Sequence, residues 1–149
     1  MIASFVATFF GVGRAPFAPG TVASLVSLPF AWLILVKLGP AALGAASLIA
    51  FAIGVWACDV HSRKTGVTDP SECVIDEVAG QWLACAVAPL SPVGFTIAFA
   101  LFRLFDITKA WPVSEGEKLR GGWGIMVDDM IAGGLAALII GVLRWQGLV

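Results

Sequence analysis

Four uncharged apolar stretches dominate the chain: Thr21–Val36, Gly39–Cys58, Val78–Phe102 and Met130–Leu143. A membrane-crossing helix needs about 20 mostly apolar residues. The first two stretches reach that length with their flanks, and the fourth comes close. The third is cut by Pro89-Leu90-Ser91-Pro92, which leaves about a dozen apolar residues on each side. Each arm is then roughly 17 Å long, too short to cross about 30 Å of hydrocarbon alone.

Local signals divide the rest of the chain. Ile2, Phe5, Val6, Phe9 and Phe10 recur at helical spacing and predict a short N-terminal helix lying in the membrane interface. Gly11–Gly20 holds two prolines and three glycines and cannot be regular helix. A first span is expected from about Thr21 to Leu38, where Gly39-Pro40 stops and restarts the helix. The second span ends near Cys58 and is followed by a polar stretch, Asp59–Thr68. Asp69-Pro70-Ser71-Glu72 reads as a helix start, with Asp69 as N-cap, Pro70 at the first helical position and Glu72 completing a capping box.

Composition agrees with a membrane protein. Of 149 residues, 59% are hydrophobic and 13% charged, and the mean hydropathy is +0.95. A soluble helical bundle is the competing reading, but the length of the uncharged runs favours the bilayer. Trp56, Trp82, Trp111, Trp123 and Trp145 are expected as interfacial anchors. A net charge of −1 leaves nothing to neutralise a polyphosphate backbone, so nucleic-acid binding is excluded. Cys58, Cys73 and Cys85 form no CxxC pair and read as small buried residues. Met1–Val12 has no basic residue ahead of its apolar stretch, so a cleavable signal peptide is not expected. The chain thus reads as one domain, residues 1–149, and as an all-α, small polytopic membrane bundle. It has an N-terminal interfacial helix and a proline-broken helical hairpin.

Charge placement chooses the hairpin over a single crossing. If the third stretch turns at its prolines, Arg14, Arg63, Lys64, Arg103, Lys109, Lys118 and Arg120 share one face, with only Lys37 and Arg144 opposite. Basic residues concentrate on the cytoplasmic side, so that face is assigned to the cytoplasm.

The acidic residues gather at the same membrane edge, with two adjacent pairs, Asp76-Glu77 and Asp128-Asp129, each running into an apolar stretch. Arg103, Asp106 and Lys109 form a plus-minus-plus stripe on one helix face. Paired carboxylates entering an apolar medium need compensation, and a hard divalent cation is their natural partner. Blander readings exist: Asp128 as a helix N-terminal residue favoured by the macrodipole, the basic residues as snorkelling side chains, and His61 as an ordinary polar loop residue. Several chemistries are absent. A lipid phosphatase mechanism requiring two histidines fails with His61 alone. Cys58 to Arg63 has the wrong spacing for a Cys-x5-Arg loop, and neither an Asp-x-Asp-x-Thr nor a Walker motif occurs. Carboxylates with basic groups at a membrane face suit magnesium-assisted work on a phosphate.

Four blocks in order carry a resemblance. They are Gly11-Val12-Gly13-Arg14-Ala15-Pro16-Phe17-Ala18-Pro19-Gly20-Thr21, Asp69–Trp82 with its Ile75-Asp76-Glu77-Val78 core, Phe102-Arg103-Leu104-Phe105-Asp106-Ile107-Thr108-Lys109-Ala110-Trp111-Pro112, and Gly121–Gly133 with Val127-Asp128-Asp129-Met130. Together they resemble the phosphatidylglycerophosphatase A family. Departures are confined to uncharged positions, Ala23, Cys73 and Ala110. The resemblance implies a magnesium-dependent phosphatase in phospholipid biosynthesis. It would convert phosphatidylglycerophosphate to phosphatidylglycerol and inorganic phosphate at the cytoplasmic face of the bacterial inner membrane.

On this reading Asp76, Glu77, Asp106, Asp128 and Asp129 converge on one or two Mg2+ ions. Arg103, Lys109 and Arg14 hold the phosphomonoester, and the glycine-rich loop, through Gly13, Gly20 and Thr21, offers backbone N–H groups. Either an activated water attacks phosphorus, or Asp128 or Asp129 forms an aspartyl-phosphate. The rival class is a small transporter or ion-binding membrane subunit whose carboxylates bind a coupling ion. The partners expected are the phospholipid substrate and the membrane.

Overall fold

A computed structural model describes all residues from Met1 to Val149 and is entirely helical. The elements are α1 (Ile2–Ala7), α2 (Pro19–Leu38), α3 (Pro40–Thr65), α4 (Ile75–Val87), α5 (Pro92–Thr108), α6 (Val113–Gly116) and α7 (Gly122–Trp145). Three of them, α2, α3 and α7, are long and apolar enough to cross a membrane, with mean hydropathies of 1.9, 2.0 and 1.9. Their outward surfaces carry Leu25, Phe30, Leu33, Leu48, Ile49 and Leu138 exposed. Such a surface needs hydrocarbon around it.

Helix α4 sits at the centre, packed on α2, α3 and α7. Small residues allow the closest approach. A Cβ on Gly133 would strike the Gly80 carbonyl oxygen, and one on Gly80 would strike the Asp129 carbonyl and the Phe102 ring. Small residues at helix contacts let backbones touch within membranes, where apolar burial alone drives little association. Side chains then pin the crossings. Ser47 Oγ donates to the Ala79 carbonyl at 2.7 Å, and Trp82 Nε1 donates to the Ser27 carbonyl at 3.1 Å. Trp82 is therefore a packing residue inside the bundle; Trp56, Trp111, Trp123 and Trp145 remain exposed.

The proline-broken stretch is a hairpin. Helix α4 ends at Val87, and Ser91 caps α5 by accepting the Gly94 N–H at 3.0 Å, with Pro92 at the first helical position. The turn is tied to the far end of α7, where Arg144 Nη1 donates to the Val87 carbonyl at 2.8 Å. At the opposite end Arg103, late in α5, meets Glu77, early in α4. The hairpin thus starts and finishes on the side of Asp59 and Gly121, where a Cβ on Gly121 would strike Asp59 Oδ1. Single cysteines at Arg63, Arg103 and Lys118, in a chain whose native cysteines are replaced, are expected to react with an impermeant maleimide from one and the same side. Labelling of position 103 from the opposite side to position 63 would contradict the hairpin.

Several local expectations are corrected. The N-terminal helix stops at Ala7, and Phe9 and Phe10 adopt left-handed φ values of 44° and 59°. The expected stripe therefore splits, with Ile2, Phe5 and Phe10 exposed and Phe9 buried. Helix α3 continues past Cys58 to Thr65, because its polar end makes its own contacts. Arg63 Nη2 lies 2.8 Å from Asp59 one turn earlier, and Gly66 (φ 73°) ends the helix. No helix starts at Asp69. Helix α4 begins at Ile75 with no side-chain cap, because Glu72 is engaged elsewhere, 2.9 Å from His61 Nε2 and 3.9 Å from Arg14. His61 is accordingly a buried helical residue, not a loop residue.

Candidate active site

The bundle end bearing Asp59 and Gly121 also holds a polar cleft of about 270 Å³, floored by α4 and α7. Helix α4 delivers Asp76 and Glu77 from its first turn. Helix α7 delivers Asp128 and Asp129 from its second turn, since the helix starts at Gly122. The macrodipole effect fades beyond the first turn, so it gives no reason for carboxylates at these two positions. Gly80 and Gly133 lie one turn deeper than Asp76 and Asp129 on the same helices, and their close contact draws the two carboxylate-bearing turns together. Oxygens of Asp76, Glu77 and Asp129 consequently lie within 4.8 Å of one another.

Helix α5 supplies the positive charge. Arg103 Nη1 lies 2.5 Å from Asp106 Oδ2, without hydrogen-bond alignment, and 3.8 Å from Glu77 Oε1. Lys109 is the left-handed C-cap of α5 (φ 47°), its N–H bonded to the Phe105 carbonyl. Such a backbone is uncommon for a non-glycine residue, and the contacts of its side chain hold it there. Its Nζ donates to Asp128 and lies 3.2 Å from Asp106, 3.6 Å from Asp129 and 4.0 Å from Glu117. Burial works against the Lys109 charge, but Asp129, Asp128 and Asp106 outweigh it and hold the ammonium above its ordinary pKa.

The five sequence-assigned carboxylates fall into two groups. Asp106 is engaged by Arg103 and Lys109. Asp128 gives one oxygen to Lys109 and the other to the Asp129 N–H at 3.0 Å. By contrast, Asp76 Oδ1, Glu77 Oε2 and Asp129 Oδ2 are buried without a hydrogen-bond partner. Buried oxygens of this kind cost free energy until a proton or cation satisfies them. An all-oxygen donor set of this sort fits a hard divalent ion such as Mg2+.

The glycine-rich segment contributes less than expected. Gly20 lines the cleft, but within the first turn of α2 instead of a loop, and a Cβ there would collide with Glu77 Oε1 and approach Arg103 Nη1 to 3.3 Å. Its position aims the N-terminal end of a 20-residue helix at the cleft, with free N–H groups suited to an anion. Gly13 packs against the Glu72 carbonyl, and Thr21 does not line the cleft. Arg14 stands outside it, its side chain 70% exposed and 3.9 Å from Glu72. Conversely Asp69, Ser71 and Cys73 line the cleft. The capping-box reading had hidden this contribution of the α3–α4 loop. Helix α6 backs onto Asp128 through Gly116, whereas Glu115 is exposed and pairs with Lys118 at 2.6 Å.

Unpaired carboxylate oxygens facing a guanidinium and an ammonium, at the end of a lipid-exposed helical bundle, define a membrane enzyme built for phosphate chemistry. The chain belongs to the phosphatidylglycerophosphatase A family, which it matches over residues 5–144, and is a phosphatase. It is similar to phosphatidylglycerophosphatase A of Escherichia coli, 34% identical over 137 residues, spanning 91% of this chain and 79% of that one. The Haemophilus influenzae phosphatidylglycerophosphatase A is 34% identical over 142 residues, 94% of this chain and 87% of that one. A Bacteroides thetaiotaomicron protein with the provisional name phosphatidylinositol-3-phosphatase is 38% identical over 148 residues, 94% and 92% of the two chains. No solved structure matches the chain. The transporter reading gives way: the family is one of phosphatases, and the charges crowd one end of the bundle instead of its middle.

Proposed function

We propose that the protein hydrolyses the terminal phosphomonoester of phosphatidylglycerophosphate to phosphatidylglycerol and inorganic phosphate, with Mg2+, at the cytoplasmic face of the bacterial inner membrane. The observation that carries this reading is the cleft itself, where three buried, unpartnered carboxylate oxygens face Arg103 and Lys109. Six carboxylates line it against two cations, Asp69 joining the five assigned from sequence. A phosphomonoester carrying about −1.5 to −2 charge enters such a cleft only when further positive charge is present. Asp76, Glu77 and Asp129 are the residues to hold that charge as Mg2+, which when bound polarises phosphoryl oxygens and acidifies water.

The chain's own groups divide the remaining work. Arg103 and Lys109 take the phosphoryl oxygens, with the N-terminal N–H groups of α2 beside them. Water adds its oxygen to phosphorus, one of its protons passes to a carboxylate, and the bond from phosphorus to the glycerol oxygen breaks. That oxygen takes up the proton the carboxylate had accepted and leaves as the alcohol of phosphatidylglycerol, which returns the carboxylate to its starting state. Asp129, with a free oxygen, fits the role of base or of nucleophile better than Asp128, whose oxygens are both engaged. The basic face of the bundle supports a cytoplasmic site.

The test is phosphate release by purified protein in detergent micelles. Phosphatidylglycerophosphate is expected to release phosphate, EDTA to abolish release and Mg2+ to restore it; release that EDTA leaves untouched would refute the metal assignment. The Bacteroides relative supplies a second substrate for the same assay, phosphatidylinositol 3-phosphate. A higher kcat/KM for the inositol lipid would reassign the headgroup.

A further inference from the structure

Helices α2 and α5 flank a second cavity beyond the polar cleft. Deeper along the same two helices lies a groove of about 520 Å³, lined by Leu25, Leu28 and Trp32 of α2 and Phe95, Thr96 and Phe99 of α5. Leu25 follows Gly20 by five residues, about 7.5 Å along the helix axis, and Phe99 precedes Arg103 by one turn. The groove thus begins about one turn deeper than the cleft along the same two helices. The Trp32 and Phe95 rings, edge to face with centroids 5.0 Å apart, line its deeper part beside Pro92. Its side is open, because Leu25, Pro29 and Thr96 are exposed on the lipid-facing surface. The Thr96 hydroxyl donates to the Pro92 carbonyl at 2.8 Å, so its proton is already committed. A polar cleft with an apolar groove about one turn deeper along the same helices matches a ligand with a phosphate at one end and hydrocarbon at the other.

We propose that this groove holds one acyl chain of the lipid whose phosphate occupies the cleft. The inference rests on the lipid-phosphatase reading and deepens it. Moving a chain from bilayer to groove gains little transfer free energy, because lipid tails are as apolar as the lining. The groove instead sets the depth and rotation of the lipid, so that its phosphate comes to rest against Arg103 and Lys109. Positioning of that kind acts on kcat/KM, since misplacing a reacting group by about 1 Å can cost on the order of 100-fold.

The probe is phosphatidylglycerophosphate with a diazirine midway along one acyl chain. Irradiation is expected to label peptides containing Leu25–Trp32 and Phe95–Phe99. Unlabelled phosphatidylglycerophosphate should compete, whereas phosphatidylcholine at the same concentration should not. Thr96→Trp and Leu25→Trp fill the groove from exposed positions and are expected to lower both labelling and kcat/KM, the latter about tenfold or more. Inhibition by inorganic phosphate, which needs only the cleft, should stay at the wild-type level. Val26→Trp and Val93→Trp, exposed on the same helices but outside the groove, should leave every readout unchanged. Equal displacement of the label by phosphatidylcholine would mean a surrounding lipid belt and overturn the proposal, as would full kcat/KM in both groove-filling variants. A wild-type protein that releases no phosphate refutes the activity, while the labelling arm still decides the groove.

Discussion

Asp129→Asn is expected to lower kcat by well over about 100-fold while leaving the protein folded, because a positioned catalytic group supplies about 10² to 10⁴ in rate. The reason lies in its surroundings. Asp129 is almost fully buried, one of its oxygens has no partner, and it shares a 4.8 Å cluster with Asp76 and Glu77. Asparagine keeps the size and one oxygen but can neither carry the charge nor accept the proton. Stability should move the other way. Three carboxylates crowded together repel one another, so in EDTA the variant is expected to melt at or above the wild-type temperature, activity and stability trading off. Asp76→Asn should behave alike. Glu115→Gln is the control, since that carboxylate is exposed and pairs only with Lys118; it should retain activity within about threefold. A folded, active Asp129→Asn beside an inactive Glu115→Gln would place the chemistry at the bundle's outer edge.

The sequence made the spans and the hairpin legible because both follow from one-dimensional quantities, the length of uncharged runs and the side on which charges fall. That Asp76, Glu77, Asp106, Asp128 and Asp129 gather in one cleft was legible for a related reason, as charges beside apolar stretches are rarely accidental. Where partners distant in sequence intervene, legibility ends. Asp69-Pro70-Ser71-Glu72 satisfies every local rule for a helix start, yet His61 and Arg14 engage Glu72 and the helix waits until Ile75. The division of the carboxylates into engaged and free ones was equally hidden. It depends on how closely Gly80 and Gly133 let α4 and α7 approach, and on the left-handed turn at Lys109 that aims its ammonium at Asp128. Neither a glycine contact nor a single φ angle is written in a hydrophobic pattern.

Arg103 and Arg14 look equivalent in sequence, each a lone arginine in a family-like block, but the fold predicts opposite outcomes for them. The Arg103 side chain is 13% exposed, between Glu77 and Asp106 and over the Phe102 ring. Arg103→Ala removes one of the two cations lining the cleft, leaves Glu77 without its cationic neighbour and leaves Asp106 with Lys109 alone. Truncating one member of a buried charge pair costs about 2–5 kcal/mol, which as lost transition-state stabilisation is at least about 30-fold in kcat/KM. Arg103→Lys restores the charge but not the planar two-pronged donor, so it should recover part of the loss through KM and little through kcat. Arg14, 70% exposed and outside the cleft, meets only Glu72 at 3.9 Å. An exposed pair of that kind contributes about 0–1 kcal/mol, so Arg14→Ala should stay within about fivefold of wild type. Parallel kcat and KM measurements on the three variants decide between the assignments. A severe loss in Arg14→Ala with near-normal Arg103→Ala would move the phosphate out of the polar cleft and onto the glycine-rich segment before α2.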